Sequence, residues 1–252
     1  MLTGSVTTTI SEGIATIEFF HPQSNSLPAS ILGQLAESVN AVSNDPNVIV
    51  ILLRSAGDKA FCAGASFDEL IAIDSLEGGK EFFSGFANVI NAMRKSPKLI
   101  IGRVQNKAVG GGVGLASSVD YCFATTKASI KVSELAVGIG PFVVGPAVER
   151  KIGTSAMSQL AVDATQWYSA QWALEKGLYS GVYETEELMD AALEILIKKL
   201  ANSNPEAMRE LKKIFWKGTE DWDQLLMERA GISGRLVLSE FTRNAINSFK
   251  TK

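Results

Sequence analysis

The chain has 252 residues, 46% hydrophobic and 20% charged, with a formal net charge of −3. That length suits one large domain or a domain with a small appendage, and the balance is that of an ordinary globular chain. The acidic balance argues against nucleic acid as a main partner, which wants a basic face, and leaves room for a local basic pocket for one phosphorylated ligand.

The first Lys or Arg is Arg54, so the N-terminus lacks the positive region of a secretory signal and the arginines of a transit peptide. The apolar run VIVILL at 48–53 is strand-sized, short of the ~20 residues that span a bilayer. Cys62 and Cys122 make neither a disulfide framework nor a zinc site, and one histidine, His21, cannot supply a multi-histidine metal site. The expectation is a cytoplasmic protein with free thiols, no membrane segment and no metal. His21 reads as a loop residue before proline, which leaves acid–base chemistry to carboxylates.

In chain order, SVTTTISEGIATIEFF alternates with period two about Glu12-Gly13 and predicts a β-hairpin. LPASILGQLAESVNAVSND predicts a helix with Ile31, Leu32, Leu35, Val39 and Val42 on one face and a stop at Asp45-Pro46. NVIVILLRS predicts a buried strand, EFFSGFANVINAMRKS a helix and KLIIGRV another buried strand. Short strands are predicted at YCFAT and ASIKV. From Pro141 the pattern turns helical, with amphipathic stretches at ELMDAALEILIKKLANS and PEAMRELKKIFWKG broken at Asn204-Pro205, and two more helices in 220–249. The order of elements predicts an α/β core with a helical C-terminal end.

Two glycine turns stand out. In VGGGVGLA, four of the residues from Gly110 to Gly114 are glycine, after a strand and before a helix. Such a turn gathers backbone N–H groups at a positive helix end and admits an anion. A dinucleotide needs G-x-G-x-x-G, and the sixth residue from Gly110 is Leu115; a triphosphate loop needs G-K-[ST], which does not occur. A developing oxyanion on a carbonyl remains. DKAFCAGASFDEL at 58–70 is a second such turn after VIVILL, and two turns offer two donors. For either turn alone, tight helix–strand packing explains small residues equally well.

With NSL at 25–27, DPNVIVILL at 45–53, KAFCAGASF at 59–67, AVGGGVGLASSVDYCFAT at 108–125 and ASIKVSELAVGIGP at 128–141 in this order, the sequence resembles the crotonase, or enoyl-CoA hydratase/isomerase, superfamily over nearly its whole length. The resemblance implies an α/β spiral of ββα repeats over residues 1–200 holding an acyl-CoA site. It implies C-terminal helices over 201–252 that build homotrimers, often paired as hexamers. It implies acyl-CoA thioester ligands, with coenzyme A as part of the substrate and no further cofactor. By matching positions, the oxyanion-hole N–H groups fall on Ala65 and Gly111.

Hydratases of this group use two glutamates to hold a water. The first position is Gly114 here and the second is Glu134. One carboxylate suffices to move a proton between the α- and γ-carbons, turning a 3-enoyl into a 2-enoyl thioester, and family isomerases often keep only the later glutamate. The expectation is therefore an isomerase, with a hydratase or a non-catalytic acyl-CoA-binding subunit as alternatives. Glycine at 114 is expected to open space for water or a bulkier acyl chain. The apolar flanks of Glu134 predict partial burial and a raised pKa. Lys59 is carried over as a CoA contact. Ala63, Ser66, Phe67 and Gly110 flank the turns, and Ser66 stands where the family commonly has an aspartate. Pro141 and Phe142, with Val143 and Val144, are expected to line an acyl pocket, although plain core packing explains Phe142, Val143 and Val144 about as well. Asp68, Glu69 and Glu149 read as surface charge, and Lys250 and Lys252 as tail charges.

Overall fold

The computed structural model describes residues 4–250, with side chains at all of them but 247, 249 and 250. Lys252 and the side chain of Lys250 lie outside the described residues.

The chain opens with strands β1 (Ser5–Ser11) and β2 (Ile14–Phe20), paired antiparallel. Glu12 and Gly13 join them at φ 51° and 78°, the positive-φ pair that a two-residue turn needs to match strand twist. Alternation then drives Ala15, Ile17 and Phe19 into the core, each with no exposed surface. A two-residue strand β3 (Ser26–Leu27) leads into helix α1 (Ala29–Asn44), which ends where Pro46 forces Asp45 into extended backbone.

This unit of long strand, short strand and helix recurs. Strand β4 (Val50–Ser55) leads to β5 (Gly64–Ala65) and helices α2 (Phe67–Ala72) and α3 (Leu76–Lys95). Strand β6 (Leu99–Val104) leads to β7 (Ala108–Val109) and α4 (Gly111–Ser118). Strand β8 (Tyr121–Thr125) leads to β9 (Ile130–Lys131), then to α5 (Gly145–Val162), α6 (Ala170–Glu175) and β10 (Gly181–Tyr183). The long strands form one six-stranded sheet in the order β1-β2-β4-β6-β8-β10, parallel from β2 onward. The short strands pair β3 with β5 and β7 with β9, and bridges Cys62↔Ala108 and Ile130↔Tyr168 join them into a second layer. The chain is thus an α/β spiral.

Both faces of the long sheet are covered, as parallel strands require. One face meets α1, α3 and α5. The other presents Val50, Leu52, Ile101 and Phe123 to Met189, Leu193 and Ile197 of α7 (Glu186–Ala201). Helices α8 (Pro205–Phe215), α9 (Trp222–Leu236) and α10 (Glu240–Lys250) complete the chain. Trp216, Trp222, Leu226 and Ala230 of this end belong to the main hydrophobic core. No helix among the described residues is long and apolar enough to cross a membrane.

One prediction is revised. The strand expected over ASIKV is confined to β9, because Ser133 takes φ −98° and ψ 1° and Glu134 opens a 3-10 turn (Glu134–Val137). Glu134 therefore begins a helical turn and does not end a strand.

A buried polar hub pins α8 to the sheet. The Asp120 carboxylate accepts from Lys212 Nζ at 2.7 Å, Trp216 Nε1 at 2.9 Å and the Ile100 N–H at 2.7 Å. Both charges of the Asp120–Lys212 pair are 3% exposed. Removing one partner strands the other, which costs about 3–5 kcal/mol. Asp120→Ala is expected to lower stability by that amount in urea unfolding. A loss under about 1 kcal/mol would show that the hub does not hold α8.

Candidate active site

The two glycine turns meet because the second layer draws them together. The Val109 N–H donates to the Cys62 carbonyl at 2.9 Å. A Cβ built on Gly64 would lie 3.2 Å from the Val109 carbonyl oxygen and 3.7 Å from the Gly111 nitrogen. One built on Gly112 would overlap the Cys62 carbonyl, and one on Gly111 the ring of Phe86. Gly110 caps α4 at φ 50°, a conformation that glycine adopts without strain. The first N–H groups of α4 have no partner within the helix and carry its positive end.

Glu134 closes this junction from the other side. A Cβ on Gly110 would sit 2.9 Å from Glu134 Oε1, so the carboxylate lies against bare backbone. The residue as a whole is half-buried, yet its Oε2 is enclosed and has no hydrogen-bond partner among the described residues. Burial pushes the carboxyl up from 4.5 to about 7, against a smaller pull from backbone N–H groups of Glu134 and Ser133. A carboxyl of this kind exchanges protons near neutrality.

Glu134 faces a cavity of about 480 Å³. Phe82, Phe83 and Phe86 of α3 form one wall, and Ile139, Val143 and Val144 line another part. Among the described residues, Glu134 is the one carboxylate lining it and Lys131 the one basic side chain.

A family model described as enoyl-CoA hydratase/isomerase matches residues 9–242. The chain belongs to this family. A short-chain-enoyl-CoA hydratase of Clostridium acetobutylicum is 30% identical over 95% of this chain and 92% of its own. A mitochondrial methylglutaconyl-CoA hydratase of Mus musculus is 32% identical over 78% of this chain and 63% of its own. Among solved structures, an enoyl-CoA hydratase from Bacillus halodurans superposes with a TM-score of 0.89 at 21% identity, covering 96% of this chain and 99% of that one. One from Mycobacterium avium subsp. paratuberculosis gives 0.85 at 23% identity, covering 98% and 95%. These structures share the crotonase fold with this chain.

Within this enoyl-CoA hydratase/isomerase fold, the site residues expected from sequence divide into two groups. Ala63, Ala65, Gly110, Gly111 and Glu134 line the one cavity, as do Phe67, Pro141 and Phe142. Lys59, Ser66 and Gly114 do not. Lys59 is exposed on the loop before β5. The Ser66 side chain is 4% exposed and caps α2 by accepting from the Glu69 N–H at 3.3 Å. Gly114 corrects an expectation: no space opens there. A Cβ on Gly114 would sit 2.6 Å from Val144 Cγ1, so the Val144 side chain already fills the room beside it.

The remaining candidates lie off the cavity. Asp68 accepts from Gln23 at 3.0 Å, Glu69 from the Ala29 N–H at 2.8 Å and Glu149 from the Thr154 hydroxyl at 2.5 Å. Cys62 and Cys122 are free and buried, and burial pushes each thiol up to about 12. Sequence reading missed the aromatic wall, although Phe82 and Phe86 stand four residues apart on the predicted helix. It also missed Lys131 and Trp167, which no local pattern marks.

The raised carboxyl gives stability a definite slope. Between pH 4.5 and about 7 the native state keeps the Glu134 proton that the unfolded chain releases. The native state therefore binds more protons there, and stability falls as pH rises, by about 3 kcal/mol across the window. Urea unfolding at about pH 5 and about pH 8 should show Glu134→Gln gaining on the wild type by that order at the higher pH. Parallel curves for the two proteins would contradict the burial of this group.

Proposed function

We propose that the protein isomerises 3-enoyl-CoA thioesters to 2-enoyl-CoA thioesters, with Glu134 as the proton carrier. The observation that carries this reading is a single enclosed carboxylate in an apolar cavity, with Val144 packed where a side chain at 114 would bring a second.

The thioester carbonyl oxygen accepts from the backbone N–H groups of Ala65 and Gly111. The ionised Glu134 takes the proton from the α-carbon, and the electron pair passes into an enolate. The two N–H groups stabilise that charge, each by about 3–4 kcal/mol, and the α4 dipole adds to them. Glu134 then returns the proton to the γ-carbon. The double bond has moved from β,γ to α,β, and the carboxylate is regenerated. A pKa of about 7 supports both halves of this cycle. Coenzyme A enters as part of the substrate, and the chemistry uses no other cofactor. The phenylalanines of α3, with Phe142, exclude water from the enolate. Ile214, Phe215 and Phe241, exposed on α8 and α10, support assembly as a homotrimer or hexamer.

A second reading is hydration of 2-enoyl-CoA, favoured by the hydratases among the relatives. It asks Glu134 alone to hold and activate water.

A paired assay separates the two. Conjugated-thioester absorbance should rise with a 3-enoyl-CoA, while a 2-enoyl-CoA persists; conversion of the latter to a 3-hydroxyacyl product would establish the hydratase. Glu134→Gln should lower isomerisation by about 10²–10⁴ with acyl-CoA binding retained. Turnover that survives this substitution would sink the mechanism. The Val144 packing gives a third test. Gly114→Glu alone should gain no hydration, because the new side chain meets Val144. Gly114→Glu combined with Val144→Gly should gain it, read as loss of 2-enoyl absorbance.

A further inference from the structure

Backbone pairing gathers three side chains that are far apart in sequence. Strands β7 and β9 pair with Val109 opposite Lys131, and Ile130 exchanges backbone hydrogen bonds with Tyr168 at 2.8 and 2.9 Å. These pairings set Lys107, Lys131 and Trp167 together on the second layer. The Nζ of Lys107 lies 5.0 Å from the Trp167 ring centroid and that of Lys131 lies 4.8 Å from it. Trp167 is 38% exposed, and with Lys131 it lines the cavity that Glu134 faces.

Neither lysine belongs to any ion pair among the described residues. This holds in a chain whose acidic residues outnumber basic ones, 27 to 24. Two ammonium groups drawn to one ring repel each other, and the negative face of the indole offsets only part of that repulsion. An anion set beside the ring relieves the rest. It would receive charge-assisted hydrogen bonds from two donors already gathered at the ring.

We propose that Lys107, Lys131 and Trp167 form an anion subsite at the rim of the Glu134 cavity. It takes an anionic oxygen group, carboxylate or phosphate, carried by the bound ligand. The proposal rests on the acyl-thioester reading for the molecule that bears the anion. That molecule offers two sources: a carboxylate at the far end of the acyl chain, or a phosphate of coenzyme A.

The test is a set of binding titrations on the full chain with four saturated, unreactive thioesters: butyryl and glutaryl, each on coenzyme A and on phosphate-free pantetheine. Wild type is compared with Lys131→Met and Lys107→Met. Preferences are read as Kd ratios within one variant, so a change in folded fraction cancels. If the anion is the acyl carboxylate, the preference for glutaryl over butyryl falls about tenfold or more in Lys131→Met on either carrier. If it is a phosphate, the preference for coenzyme A over pantetheine falls by that factor with either acyl group. Either result supports the subsite, and Lys131→Arg should restore the ratio. Both ratios unchanged in both variants would overturn it while leaving the acyl-CoA reading intact, the lysines then serving only to brace the β7–β9 edge. Wild-type protein that binds none of the four thioesters would overturn the subsite and the acyl-CoA reading together.

Discussion

A carboxyl group with one oxygen enclosed and unpartnered is the constraint around which this molecule is arranged. Ionised, such a group is expensive, because the backbone N–H groups of Glu134 and Ser133 replace only part of the water it has lost. The fold tolerates it by keeping it protonated up to about neutral pH. The same physics makes the group useful: a proton held at pH 7 is one that can be given and taken there. In the proposed reaction, stability and chemistry therefore pull in opposite directions at Glu134.

The glycines of the central turn follow from that placement. Bare backbone invites a phosphate or an oxyanion, yet the nearest neighbours of these glycines are parts of the same chain. Gly110 faces Glu134, Gly111 faces Phe86, Gly112 faces the Cys62 carbonyl and Gly114 faces Val144. The missing Cβ atoms at Gly110, Gly111 and Gly114 let Glu134, Phe86 and Val144, which line the cavity, close on α4, and the one at Gly112 lets the Cys62 carbonyl approach. The consequence is a rigid junction in which the first N–H groups of α4, the β5 turn and the Glu134 carboxylate share one small volume. Preorganised donors stabilise developing charge without reorganising at the moment of reaction, and in the proposed mechanism this close packing would supply the preorganisation.

Much of this was legible in the sequence, for reasons that can be named. The hairpin, the buried strands and the long helices are written in periodicities of 2 and 3.6, which depend on neighbours in the chain. The glycine turns and Glu134 were legible as an ordered set of motifs. What escaped depends on tertiary packing. Phe82, Phe83 and Phe86 are apolar positions on a predicted helix, and only the packing of α3 against its neighbours turns them into a cavity wall. Val144 against Gly114 is a contact between residues thirty positions apart, and it reverses the expectation that a lost side chain leaves a hole. Lys107, Lys131 and Trp167 converge through strand pairing alone. The 3-10 turn at Glu134 escaped because Ile130 and Val132 alternate as in a strand until Ser133 breaks the pattern.

The C-terminal helices are tied to the cavity and not simply attached beside it. Helix α9 crosses α3 at Gly79 and Gly234, where a Cβ on Gly79 would lie 2.7 Å from the Gly234 carbonyl oxygen. Ser233, next in the chain, lines the cavity itself. Helix α10 packs on the turn that begins at Glu134, with Phe241 and Thr242 filling the space beside Gly138. Helix α8 is anchored through Asp120, two residues past the end of α4. A shift of α9 moves α3 and its aromatic wall, and a shift of α10 moves the turn that holds the carboxylate. Residues remote from Glu134 thus set the shape of the cavity, and with it the burial that raises the proton affinity on which the proposed chemistry turns.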